Sequence, residues 1–270
     1  MPIEQIIVLA IVQGITEFLP ISSSGHLAIF SDLTGLEDQG LAIDVMMHVG
    51  SLFAIIVYFW TDVVSLIRGT LELIQLKMTD RARLALYIAL ATIPAGLFGI
   101  FLKKMGWIDA IRADANLKLQ IVGWNAIIFG IILYAADRFG ERLRSMSDMQ
   151  LHPAMVIGFA QALALIPGTS RSGITMSAAR FLGFKRTEAA RFSFLLGIPA
   201  IAAAGLLTVS EAYSAGEAIS GDAWLAAALS FVASLGAIAF LMALVKRMSF
   251  LPFVIYRLAL GVVLLYMAYS

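Results

Sequence analysis

Two short polar stretches interrupt an otherwise apolar chain. QGITEFLPISSSGH runs from Gln13 to His26, and PGTSRSG runs from Pro167 to Gly173. Together they hold a carboxylate (Glu17), an imidazole (His26), a guanidinium (Arg171) and a run of hydroxyls. His26 titrates near neutrality and can move a proton. Ser22, Ser23 and Ser24 are candidate nucleophiles if a base such as His26 lies within reach. Gln13 stands four residues before Glu17, on the same helical face. An amide oxygen and a carboxylate so placed suit a hard divalent cation, Mg2+ or Ca2+. Each group also has a plainer reading: a serine cluster caps a helix, and a lone histidine packs.

The second stretch has the chemistry of an anion site. Gly168 lets backbone approach a ligand closely. A short helix starting near Ser170 would aim free N–H groups into the break, and such ends favour phosphate. Arg171 adds a planar fork that matches phosphate oxygens in pairs. An unpaired arginine in apolar surroundings costs several kcal/mol, so Arg171 implies a partner: a ligand phosphate or the Glu17 carboxylate. His48 lies at an equivalent depth and either lines the pocket or packs. Arg257, in the last apolar stretch, also needs a partner, a carboxylate or the ligand. Asn125 and Gln161 read as hydrogen-bonding groups between helices.

The elements that must position these residues are membrane helices. Of the 270 residues 60% are hydrophobic and 14% charged, against about 25% charged in soluble domains. The formal net charge of +1 gives no sign of a nucleic-acid partner. With no cysteine, disulfides and thiolate metal sites are excluded. MPIEQIIVLA has neither a basic start nor a small-residue cleavage site, and reads as mature sequence. Residues 41–60, 84–102, 118–136, 191–210, 223–245 and 251–269 each approach the roughly 20 apolar residues a spanning helix needs. Residues 6–19 and 154–166 are shorter, end at a proline-containing polar break, and are followed by short apolar pieces at 27–33 and 174–182. Paired short helices around a polar break predict re-entrant hairpins, tolerated at membrane depth only where protein or a wet cavity surrounds them.

The two odd segments echo each other. Gln13 to Gly25 and Gln161 to Gly173 have the same separation, each containing a proline and ending in Ser-Gly. The order is hairpin, three spans, hairpin, three spans. An odd number of spans inserts the second half upside down. The expected fold is therefore an all-α polytopic membrane protein, six transmembrane helices plus two re-entrant hairpins in an inverted-topology repeat. It forms one membrane domain, 1–270, with halves at about 1–140 and 150–270. In such repeats the site lies where the breaks meet. Lys and Arg concentrate in the loops around 68–83, 138–144, 185–191 and 246–247, while the loop holding Glu211, Glu217 and Asp222 has none. The positive-inside rule then puts both termini outside.

These motifs resemble the bacitracin-resistance family of undecaprenyl-diphosphate phosphatases. Gln13, Glu17, Ser22, Ser23, Gly25 and His26 fit its first signature. Pro167, Gly168, Ser170, Arg171, Ser172 and Gly173 fit its second, and FSFLLGIP and SFLPFVIYR look like the family too. Gln stands at position 13 where many members have Glu, which removes a negative charge from the expected metal site. The resemblance implies hydrolysis of undecaprenyl diphosphate to the monophosphate and inorganic phosphate. It further implies a divalent-cation requirement, a site opening to the outer face of the bacterial inner membrane, and recycling of the lipid carrier for the cell wall. Its partners are then the lipid substrate and membrane lipids; a homodimer stays open. On this reading Gly168, Thr169, Ser170, Arg171, Ser172 and Gly173 hold the diphosphate. Ser23 attacks with His26 as base, and Glu17 holds the metal or orients His26; direct attack by water fits the same residues. Two other readings stand beside it: a transporter or flippase for a phosphorylated lipid, and a structural membrane protein.

Overall fold

The computed structural model describes residues 1–36, 38–214 and 219–270, without the side chains of 41, 108, 109, 112 and 211–213. Glu217 lies outside the described residues, as do the side chains of Glu211 and Arg112. The described residues form α-helices and no named strand; one isolated bridge joins Arg144 to Phe184. This is an all-helical polytopic membrane protein.

Five helices are long and apolar enough to cross a bilayer: α5 (Asp80–Lys104), α7 (Ala115–Phe139), α10 (Arg186–Ser214), α11 (Gly221–Leu244) and α12 (Leu251–Tyr269). The remaining expected span is α3 (Leu41–Tyr58). It ends in a 91° bend, and the chain continues as α4 (Trp60–Ile74). Sequence reading took the segment after residue 60 for a loop. Its apolar residues come in helical spacing among Asp62, Ser65 and Arg68, so no 20-residue apolar run forms. Trp60, Ile67, Leu71 and Ile74 are exposed, which fits a helix along the membrane interface, where tryptophan is favoured. A short helix, α6 (Trp107–Ala113), joins α5 to α7.

The polar breaks divide two helix pairs. α1 (Ile3–Phe18) leads into α2 (Ser23–Thr34), and α8 (Leu151–Leu163) leads into α9 (Arg171–Phe181). The 12 residues of α2 and 11 of α9 reach about 18 and 16 Å, well short of the roughly 30 Å hydrocarbon layer. Such short, broken helices have to be buried by protein. α1 packs on α11, α8 packs on α5, and α2 and α9 both pack on α7; α3 meets α10, and α7 meets α12. The main core gathers Phe18, Phe59, Phe192, Phe194, Leu241 and Phe250, with Phe18 edge-on to Phe194 at 5.3 Å between ring centres.

Two polar knots fasten this frame. Between α3 and α11, Ser51, Ser230 and Ser234 share hydrogen bonds, and Ser230 also donates to the Met47 carbonyl. At the ends of α7, α9, α10 and α12, Asp137 accepts from Arg186 at 2.6 Å and from the Phe250 N–H at 3.0 Å. The fully buried Arg180 pairs with Asp137 and donates to the carbonyls of Glu141, Phe184 and Gly140.

Arg257 ties the breaks together. Its partners are backbone carbonyls, where a carboxylate or ligand was expected. It donates to Pro20 in the first break (3.2 Å), to Gly168 in the second (2.9 Å), and to Asn125 and Ala126 of α7 (2.9 and 3.2 Å). Only 1% of it is exposed. Carbonyls near helix ends carry partial negative charge and need donors, so one guanidinium satisfies groups that the broken helices leave over. Asn125 adds a 2.8 Å bond to the Pro167 carbonyl. Arg257→Met leaves these carbonyls without their donor and should therefore destabilise the fold by about 1–3 kcal/mol or more, read as a lower thermal midpoint in detergent, with Arg257→Lys in between. A methionine variant as stable as the parent would refute the tie.

Candidate active site

Both breaks close in the same way. Ser22 takes a left-handed backbone (φ 76°) and accepts the Gly25 N–H at 3.2 Å. Ser170 does likewise (φ 72°), accepting the Gly173 N–H at 3.1 Å. A positive φ is strained for serine, a strain that recurs at functional sites. The turn makes Ser23 the first residue of α2 and Arg171 the first residue of α9. These two side chains thus hold the same helical position in their respective hairpins.

The breaks touch. The Ser172 hydroxyl donates to the Leu19 carbonyl at 3.0 Å. A side chain on Gly25 would begin 3.2 Å from the Gly168 Cα, and one on Gly168 (φ 87°) would run into Val122. The approach requires glycine at 168, and at 25 it leaves only a tight fit for any larger residue.

Glu17, 5% exposed, stands at the junction. Its Oε1 accepts from Arg171 Nη2 at 3.0 Å. Its Oε2 accepts from the Ser23 hydroxyl at 2.5 Å and from Gln13 Nε2 at 3.1 Å, with His48 Nε2 at 3.3 Å. The other ring nitrogen of His48 lies 2.8 Å from the Asp44 carbonyl. Arg171 is steadied from α10: its Nη1 donates to the Ser193 carbonyl at 3.0 Å, and a side chain on Gly197 would collide with the guanidinium. The Thr175 hydroxyl bonds the Arg171 carbonyl and the Ser193 hydroxyl, both at 2.7 Å.

Glu17, Ser23, Ser24, His48, Ser170 and Arg171 line a cavity of about 270 Å³. A neighbouring, mostly apolar cavity of about 210 Å³ shares Ser24, Val45, His48 and Leu165 with it. Leu27, Leu102, Trp107 and Ile111 line its wall, and so does Lys118, which pairs with Asp32 at 2.8 Å. The arrangement is that of a hydroxyl on a carboxylate base, a planar cation beside them, and an adjoining apolar chamber.

Several expected residues have other duties. His26 puts one ring nitrogen 2.6 Å from the Ser22 carbonyl and the other 2.6 Å from the Tyr256 hydroxyl, with its ring stacked on Tyr256. It lines neither cavity, and the structure does not bring it to Ser23. Ser22 and Ser170 spend their hydroxyls as caps, and Ser172 spends its own on Leu19. Thr169 is fully buried, its hydroxyl without a partner among the described residues, and lines neither cavity. Gly168 supplies its carbonyl to Arg257, and Gly173 its N–H to Ser170. Within the second break, Ser170 and Arg171 face the cavity. Sequence reading missed Thr175, Ser193 and Gly197. An apolar helix gives no local sign that one of its glycines makes room for a distant arginine. Gln161 was read as a bond between helices; neither of its amide atoms has a partner among the described residues, and it lines the cavity.

The residues expected to hold a cation do not fit one where they stand. Arg171, Ser23, Gln13 and His48 all present donors to Glu17, and the amide oxygen of Gln13 is not among its contacts. Among the described residues no three His, Asp or Glu gather as ligands.

Comparison with known proteins meets this site from another direction. The profile of the family described as "Bacitracin resistance protein BacA" matches residues 6–263. The undecaprenyl-diphosphatase of Jannaschia sp. (strain CCS1) is 50% identical over 264 residues, 97% of each chain. That of Ruegeria sp. (strain TM1040) is 48% identical over 272 residues, the whole of both chains. That of Erythrobacter litoralis (strain HTCC2594) is 48% identical over 279 aligned positions, 97% of this chain and 98% of its own. The likeness covers both breaks and every helix that packs around them, and the chain belongs to the BacA bacitracin-resistance family.

Proposed function

We propose that this protein hydrolyses undecaprenyl diphosphate to undecaprenyl phosphate and inorganic phosphate, returning the lipid carrier to cell-wall synthesis and lending resistance to bacitracin. Family membership supports the reaction. The observation that carries the site is the convergence of Ser23 and Arg171, each the first residue of a broken helix, on the buried carboxylate of Glu17. In this reading the diphosphate occupies the cavity that Glu17, Ser23 and Arg171 line, and the start of the prenyl tail occupies the one beside it. Arg171 takes the phosphoryl oxygens, the α9 N-terminus favours their charge, and positioning with electrostatics does most of the work.

The Ser23 hydroxyl already donates to Glu17, so Glu17 takes the base role that the sequence suggested for His26. His26 instead steadies the Ser22 carbonyl and Tyr256. Attack by the Ser23 oxygen on the terminal phosphorus would expel undecaprenyl phosphate, the serine proton passing through Glu17 to the departing phosphate, and leave a phosphoserine for water to cleave. Direct attack by water, with Glu17 accepting its proton, gives the same products. Rapid quenching with radiolabelled terminal phosphate separates the two: label on Ser23 supports the covalent route, and its absence during turnover supports direct attack. A divalent cation, Mg2+ or Ca2+, remains part of the proposal. The diphosphate's own oxygens are hard donors suited to carrying it in, and no step here depends on Glu17 or Gln13 binding it. One chain supplies every group named, so the reading does not call for a homodimer.

We also read 1–140 and 150–270 as halves of an inverted repeat. The matching serine caps support this, as do the corresponding contacts of α1 with α11 and α8 with α5. We further read both termini and the site's opening on the outer face of the cytoplasmic membrane; the concentration of Lys and Arg in the opposite loops supports the orientation of the termini. Because the chain has no cysteine, single cysteines report orientation cleanly. Arg142→Cys should react with an impermeant reagent only after the membrane is opened, and Asn116→Cys in intact cells; the reverse pattern would invert the topology.

The activity is tested with the purified protein in detergent, a polyprenyl diphosphate and Mg2+ or Ca2+. Phosphate release should fall by roughly 10²–10³ in Arg171→Ala. Full activity in that variant would remove Arg171 from the site, and no release by the parent protein would favour movement of the lipid over its hydrolysis.

A further inference from the structure

Gln161 carries an unspent pair of hydrogen-bonding groups. It is 2% exposed and sits on α8 just before the second break. Both its amide nitrogen and its amide oxygen lack a partner among the described residues. It shares the cavity wall with Glu17, Ser23, Ser170 and Arg171. Buried polar groups are nearly always paired, and leaving both a donor and an acceptor unmatched is unfavourable unless something else engages them. Gln13 stands at the matching position before the first break, but its nitrogen already donates to Glu17. Gln161 stands in the cavity wall with neither amide atom engaged among the described residues, whereas Gln13 has only its oxygen unengaged.

The hydrolysis proposed above needs groups that Arg171 and Glu17 do not provide. Arg171 only donates, and Glu17 only accepts while ionised. A water molecule attacking phosphorus has to be held by an acceptor beside a phosphoryl oxygen that is held by a donor. A side-chain amide presents one of each on a single planar group. We propose that Gln161 orients the hydrolytic water, its amide oxygen accepting one water hydrogen and its amide nitrogen donating to a phosphoryl oxygen. The water oxygen forms the new bond to phosphorus. The bond that breaks runs to the bridging oxygen of the substrate, or to Ser23 Oγ in a phosphoserine. One water proton passes to Glu17, from which it returns to Ser23 in the covalent route or leaves with the expelled undecaprenyl phosphate in the direct one. The other, held by Gln161, stays on the released phosphate. This assignment rests on the proposed hydrolysis and holds for either route.

A water-positioning amide and a structural one differ in what their loss does. Gln161 has no partner to lose among the described residues, so Gln161→Met should leave the thermal midpoint unchanged or raised. Gln161→Glu has the same length and lacks the donor. In detergent, with a polyprenyl diphosphate and Mg2+, both variants should lose roughly tenfold or more in kcat while KM stays within about threefold. The parent protein and Arg171→Ala run alongside. If the parent releases no phosphate, the hydrolase reading itself fails. If the parent is active, three results overturn the assignment: kcat within about twofold of the parent, a rise in KM alone, or a kcat loss accompanied by a lower midpoint in both variants.

Discussion

A carboxylate buried within an apolar bundle has to be surrounded by donors, and this requirement at Glu17 organises the molecule. Its oxygens receive Gln13 from its own helix, Ser23 from α2, His48 from α3 and Arg171 from α9. Gln13 and Ser23 lie close in sequence, but His48 reaches Glu17 only if α3 packs beside the first hairpin, and Arg171 only if the two hairpins meet. An isolated charge at such depth is costly, and removing one partner of a buried pair is costlier than never having made it. The ion pair and the fold therefore depend on each other.

The same logic extends to the backbone. Interrupting two helices at membrane depth leaves carbonyls and N–H groups that no water reaches. Ser22 and Ser170 supply acceptors for the new helix starts, and Arg257 supplies donors to carbonyls of both breaks and of α7. Gly25, Gly168 and Gly197 remove the side chains that would hold the pieces apart. What results is a cavity with a small cluster of polar groups at the meeting of the breaks, beside a second cavity with mostly apolar walls.

The partition of roles within FLPISSSGH changed most between sequence and structure. His26 and Ser23 lie three residues apart, and a histidine close to a serine reads naturally as a base with its nucleophile. In α2, however, Ser23 points to Glu17, while His26 turns to Ser22 and Tyr256. His48, ambiguous in the sequence because one histidine in an apolar span suits packing as well as chemistry, proves to face Glu17. Likewise α4 escaped detection: an interfacial helix has an apolar face and no apolar run.

Composition alone was enough to make this a membrane protein, since so few charges among so many apolar residues cannot coat a soluble surface. The lengths of the apolar runs set the spans, and the proline and serine breaks set the hairpins. Intramembrane Glu17 and Arg171 were legible as functional because no helix keeps such residues in lipid without partners. Which partners they have was decided by tertiary structure. Left-handed turns at Ser22 and Ser170, glycine-sized gaps, and the approach of α3 and α10 determine which side chains converge. Those approaches depend on packing between residues as far apart as Glu17 and Arg171, a separation of 154 positions that no local pattern encodes.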